Sequence, residues 1–153
     1  MYINAEEYLN DIRQKGNEIK SLRNALSAID KDLEASAITY NPDRIHTNVP
    51  RKDGLEELAF KHLERRDRII KALESAITER SESIEEAVRY ISKIESDDQR
   101  EVLMLRYIDA HSWSEILDIR DCDDIRNQCR LRDRAIESLQ RIIEKDMALT
   151  ASF

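Results

Sequence analysis

The sequence is poor in the residues that most enzymes and secreted domains rely on. Its 153 residues include two glycines, two prolines and two cysteines, and aromatic residues make up 5%. With so little glycine there is no phosphate-cradling loop. The cysteines, Cys122 and Cys129, stand seven apart with no Cys or His partner at zinc spacing, so reduced thiols are expected and no metal. His46, His62 and His111 are scattered, and no Ser/His/Asp or Cys/His cluster is visible. The chain is therefore not expected to be an enzyme or to hold a cofactor. No apolar run approaches about 20 residues, which excludes a membrane-spanning helix. The start, MYINAE, has neither a basic region nor an apolar stretch, so no signal peptide is expected and a cytoplasmic location is. Alternation of β-branched residues, the mark of a sheet, is missing too.

What is present is charge and helix-forming residues. Asp, Glu, Lys and Arg make up 37% of the chain, set among Leu, Ile and Ala. The expected class is all-α: a long N-terminal helical hairpin of coiled-coil type, followed by a C-terminal trihelical helix-turn-helix. Over residues 4–36, Ala5, Ile12, Ile19, Leu26 and Leu33 repeat every seven, with Tyr8, Leu22 and Ile29 in the companion row. Lys15 interrupts that row, and Gly16 beside it costs about 1 kcal/mol relative to Ala. Pro42 and Pro50 break the pattern, giving an expected loop over 37–54 that carries Arg44, Arg51 and Lys52. A second helix over 55–95 repeats Leu63, Ile70, Ile77, Ile84 and Ile91, with Arg66 and Arg80 interrupting the alternate row. A hairpin with one narrow seam predicts a second copy of the chain, a homo-oligomer, or packing on the C-terminal module.

The most informative stretch is 99–117, QREVLMLRYIDAHSWSEIL. Val102, Leu103, Leu105 and Ile108 give a helix one apolar side. A break at Asp109-Ala110-His111 precedes Ser112, three residues before Glu115, which is a capping box. Upstream, Ser96-Asp97-Asp98 reads as a helix stop and a new N-cap, so the module boundary is expected at 96/97, dividing 1–96 from 97–153. The last helix is expected to start at Asp123 or Asp124. Ile125, Gln128, Leu131, Ala135, Leu139 and Ile142 lie along one side. The tail after Lys145 is expected to fray.

R-E-V-L-x-L-R-Y followed by S-W-S-E-I resembles the fourth region of bacterial sigma factors. Over about residues 100–142 it is more similar to phage late-transcription regulators of the ArpU/RinA type, with Ala135-Ile136-Glu137-Ser138-Leu139 in the place of the family's tail. The resemblance implies a phage or prophage regulator in a bacterial host, binding promoter DNA through residues 124–134. The chain departs from the family in the turn: Ile119-Arg120-Asp121-Cys122-Asp123-Asp124 has no glycine and one extra residue. Asp tolerates a left-handed conformation there. Gln128 replaces an apolar core residue of the family.

Arg and Asn supply the bidentate donors that read guanine and adenine in the major groove. Arg126, Asn127 and Arg130 have those types in the N-terminal half of the last helix, and Arg132 and Arg134 suit phosphates. The candidate DNA-binding set is Ser112, Asp124, Arg126, Asn127, Arg130, Arg132 and Arg134, acting on double-stranded DNA. Trp113 is expected to pack in the trihelical core. The net charge of −7 opposes general nucleic-acid binding, yet residues 126–145 carry six basic against three acidic side chains. That acidity favours a second reading, a helical adaptor that binds RNA polymerase or another protein without reading DNA.

Overall fold

The computed structural model describes residues 3–39 and 52–152. They form five α-helices and no strand: α1 Ala5–Thr39, α2 Lys52–Ile91, α3 Asp97–Leu103, α4 Trp113–Arg120 and α5 Ile125–Ala151. A π-helical turn, Met104–Ile108, continues α3. The all-α class is thus observed, and no described helix is long and apolar enough to cross a membrane. α1 and α2 reach into the expected 37–54 loop from both sides. Pro42, Arg44, Pro50 and Arg51 lie outside the described residues.

Two helix ends differ from expectation, each for a local reason. α2 stops at Ile91 rather than near 95, in a turn where Lys93 and Ile94 donate to the Tyr90 and Ile91 carbonyls. Arg100 then donates to the carbonyls of Ile94 and Glu95. α5 does not fray after Lys145. Asp146 is held by the Tyr90 hydroxyl at 3.1 Å and Lys93 at 3.4 Å, and the hydroxyls of Thr150 and Ser152 bond carbonyls of the last turns.

The chain divides into two compact units, Met1–Asn17 with Thr78–Phe153, and Glu18–Ile77. α1 and α2 contribute to both. The boundary expected at 96/97 falls inside the first unit, whose core is shared by Leu9 and Ile12 of α1, Ala87 and Ile91 of α2, Val102 and Leu103 of α3, Tyr107 of the π turn, and Leu139 and Ile143 of α5. α1 and α2 run antiparallel here: Tyr8 meets Ser83 and Glu86, while Ile12 meets Arg80. Burial, then Glu86, pushes the Tyr8 hydroxyl pKa up, so it stays a neutral donor. α5 also holds the start of α1: Gln140 accepts from the Ala5 amide at 2.8 Å and donates to the Ile3 carbonyl at 3.0 Å. Asn4 caps α1 by accepting from the Glu6 amide at 2.9 Å.

The π turn explains which side chains are buried. In an α-helix, positions three and four apart share a face. Here the buried pairs are Val102 with Leu103, and Tyr107 with Ile108, five residues on. The Asp109 amide donates to the Met104 carbonyl, five back, at 2.9 Å. That extra residue in the turn leaves Leu105 half-buried and brings Tyr107 inside.

In the second unit, Ile19 and Ile29 are buried, and Arg66 of α2 pairs with Asp30 of α1 at 2.8 Å. The heptad residues Leu63 and Ile77 remain 49% and 37% exposed, as do Leu58 and Phe60 at 47% and 62%.

Gly16, beside the Lys15 interruption of the first heptad, meets Arg80, one of the two interruptions of the second. Arg80 donates through Nε to the Ile12 carbonyl at 3.2 Å and through Nη2 to the Ile108 carbonyl, at the end of the π turn. A Cβ on Gly16 would sit 2.8 Å from Arg80 Nη2. Gly16 thus leaves room for the guanidinium in this position, where its charge-assisted bonds contribute about 1.5–3 kcal/mol each. Gly16→Ala should therefore gain little or lose stability in the wild-type chain, and gain about 1 kcal/mol in an Arg80→Ala background. Urea denaturation of the four proteins of that cycle measures the coupling; equal effects in both backgrounds would show that the glycine serves no such purpose.

Candidate nucleic-acid interface

The candidate interface begins where the π turn ends. Ala110 takes a left-handed φ of 55°, and the chain turns into α4. Ser112 caps α4, its Oγ accepting from the Glu115 amide at 3.3 Å. Glu115 contacts His111 Nδ1 at 2.6 Å. Ile116 is fully buried and anchors the short helix. At the other end Arg120, with only 10% of its side chain exposed, pairs with Glu101 at 2.5 Å and Asp98 at 3.1 Å, tying α4 to α3.

The turn from α4 to α5 solves its lack of glycine with Asp121, which takes the left-handed conformation at φ 52°, ψ 51°. The Cys122 amide donates to the Leu117 carbonyl at 2.9 Å and the Asp121 amide to Asp118 at 3.3 Å, a Schellman closure. Asp124 caps α5 by accepting from the Arg126 amide at 2.9 Å. Both cysteines are free thiols, half-buried beside the turn and in the next helix.

α5 has two sides. Gln128, Ala135, Leu139 and Ile143 are buried. Arg126, Asn127, Arg130 and Arg134 are exposed, and among the described residues none of these three arginines has a carboxylate within ion-pair distance. At 1.5 Å per residue, Arg126 and Arg134 are separated by about 12 Å along the helix. The unpaired cations therefore form a short basic row at the N-terminal end of α5.

The other candidate residues are placed differently. Arg132 is half-buried, lies over the Trp113 ring at 5.5 Å and pairs with Asp133 at 2.7 Å. Ser112 and Asp124 are exposed but serve as helix caps, so their acceptor oxygens face backbone amides of their own helices. Capping also gives the Asp124 carboxylate a local partner at the end where it would otherwise repel phosphate. Trp113 packs against the core as expected, half-buried, with Arg106 over its ring at 4.7 Å. Sequence alone gives Arg106 no role. It donates to the His111 carbonyl at 3.1 Å, and burial, followed by the charge of Arg13, lowers its pKa. Its place beside Tyr107 in the R-Y pair was the available signal, obscured by the π turn.

No family model, curated protein or solved structure matches this chain.

Gln128 is 6% exposed, and its Oε1 has no hydrogen-bond partner among the described residues. An unpaired buried acceptor costs about 1–3 kcal/mol. Gln128→Leu should raise the urea midpoint, at unchanged m-value, by the equivalent of about 1 kcal/mol. A fall in stability would mean that Oε1 is satisfied in solution.

Proposed function

We propose that this chain is a sequence-specific DNA-binding transcription regulator, phage or prophage encoded, that reads promoter DNA with the N-terminal half of α5. One observation carries the reading: Arg126, Asn127, Arg130 and Arg134 lie exposed on the side away from the buried Gln128 and Ala135, and the three guanidinium groups are uncommitted to carboxylates among the described residues. Those are the residue types that read base edges and hold phosphates. The short α4, the four-residue turn and the long α5 suit a helix-turn-helix docked in the major groove. The protein works in the cytoplasm of a bacterial host and catalyses no reaction. Arg130 contacts a base; Arg134, one turn further, contacts phosphate; Arg132 holds Trp113 in place.

A homo-oligomer belongs to the same reading. Leu63 and Ile77 keep their heptad spacing in α2 while remaining partly exposed, the state expected of a seam completed by a second copy. The adaptor reading, with RNA polymerase or another protein as partner, draws on a different observation: Ile119 and Ile125, on either side of the turn, are 51% and 45% exposed. Apolar side chains beside a basic row fit a protein partner, although they also fit thymine methyl groups.

Two experiments separate these readings. In binding-site selection from random duplex DNA, a preferred site should emerge. Against it, Arg130→Ala should cost about 1–3 kcal/mol and relax specificity at one base pair. Arg134→Ala should weaken all sequences alike and reduce the salt slope by about one unit. Selection that yields no site even at low salt, with polymerase retained on the protein, would favour the adaptor. Sedimentation of the wild type should show a species larger than a monomer, and the pair Leu63→Asp with Ile77→Asp should shift it downward, since a charge is costly in an apolar seam. A wild-type monomer at tens of micromolar would remove the oligomer from the reading.

A further inference from the structure

Ile125 lies on the core side of α5, yet it is 45% exposed. Residues three and four apart share a helix face, and on this face Gln128, Ala135 and Leu139 are buried. Ile125 is the first residue of α5, directly after the Asp124 cap, so the helix tip extends past the core that covers its later turns. Its neighbours Asp123, Asp124, Arg126 and Asn127 are all exposed. The tip therefore presents one aliphatic side chain among polar ones. The fold gives no reason for an isoleucine here. A β-branched residue is a poorer helix former than Ala, and the first turn of a helix favours acidic side chains. Apart from Leu149 at the far end of α5, the other exposed large apolar side chain of the described α4–α5 pair is Ile119, near the end of α4.

We propose that Ile125 reads the methyl group of a thymine and so sets specificity at one base pair, beside those contacted by Arg126, Asn127 and Arg130. This rests on the DNA-binding reading above, in which the N-terminal half of α5 enters the major groove. Base edges in that groove carry hydrogen-bond donors and acceptors and a single apolar group, the C5 methyl of thymine. An aliphatic side chain at the tip of the helix therefore has one base to favour. The contact takes both surfaces out of water, and burying a methyl-sized apolar group is worth a factor of about four in affinity. A protein partner would cover Ile125 too, but the core of a protein interface is depleted of charge. Here the flanking residues along the chain are Asp124 and Arg126, both exposed.

The test uses the full chain and a duplex carrying its selected site. Replacing the thymines one at a time by deoxyuridine removes the C5 methyl and keeps every hydrogen-bonding group. The wild type should lose about fourfold in affinity at one of them. Ile125→Ala should bind the thymine duplex about fourfold more weakly and show no further loss on that uracil. Ile125→Val, which trims one methyl, should fall between them and serves as the test if the alanine variant melts. Neither variant changes a charge, so the salt slope should match the wild type. Ile119→Ala should keep the wild-type response to uracil. A uracil series with no sensitive position overturns the inference and leaves the DNA reading standing. A sensitive thymine to which both Ile125 variants respond as the wild type does overturns it as well. Ile125→Ala that keeps its DNA affinity and loses RNA polymerase places the residue in a protein interface, which also overturns it. If no site can be selected even at low salt, the DNA reading and this inference fall together.

Discussion

The Arg80 guanidinium is the contact on which the first unit depends. It bonds two backbone segments across the core they share, the Ile12 carbonyl on α1 and the Ile108 carbonyl at the end of the π turn, and passes over Gly16 of α1. A helix end leaves carbonyls without intrahelical donors, and burying them without partners is costly. Arg80 supplies the donor for one of them from another helix. Where the π turn ends decides where Ala110 turns and where Ser112 begins α4. Arg80 is thus one of the contacts that couple the α4–α5 pair to α1 and α2, beside Gln140, Asp146 and the shared core.

Local chemistry was legible in the sequence wherever one residue type does one job. Ser112 three residues before Glu115 marks the start of α4, and the pair Asp123-Asp124 brackets the start of α5, where Asp124 is the cap. The absence of glycine in the turn pointed to an Asp in left-handed geometry, and Asp121 takes it. Heptad spacing located most of the α1 and α2 seam, but missed Leu9, which is fully buried because α5 and the π turn share α1's core side. Periodicity failed at Tyr107 for a definite reason. A π turn adds a residue per turn, and no sequence signature distinguishes it from α-helix. The roles of Gly16, Arg80, Arg106 and Arg120 were illegible because each depends on a partner far away in sequence. A lone glycine in a helix reads as a weakness until the guanidinium that needs the space is known.

The acidic total of the chain says less about nucleic acid than the arrangement of its charges. Exposed charges separated by more than about 8 Å are largely screened at physiological salt, so a phosphate senses its immediate neighbours. Near the start of α5, Asp124 is engaged with the Arg126 amide, and Asp98 and Glu101 are engaged with Arg120. The arginines facing outward on α5 have no such partners among the described residues. The fold thus commits several carboxylates of this unit to caps and ion pairs and leaves a local positive row inside a negative molecule. The long-range field of a net-negative molecule repels polyanions. Under the proposed reading, a local positive row in such a field would favour discrimination among sites over tight general binding.

α5 carries this logic into the mechanics. It is 27 residues long, about 40 Å at the helical rise. Its C-terminal half is clasped through its own Gln140, bonded to the start of α1, and its own Asp146, bonded to Tyr90 and Lys93 at the α2 end, while its first turns present the basic row. A rigid helix anchored at one end transmits small rotations of the anchor to the other; under the proposed reading, a shift of about an ångström there would decide whether an Arg fork meets its two acceptors. Ser138 with Gln99 fixes the middle of the helix to α3, and Arg120 fixes α4 to the same α3. Both halves of the helix-turn-helix are thus referenced to one short helix, whose Arg100 bonds the Ile94 and Glu95 carbonyls in the turn after α2. The hairpin is therefore part of the device that aims α5: it holds the base from which the angle of that helix is measured.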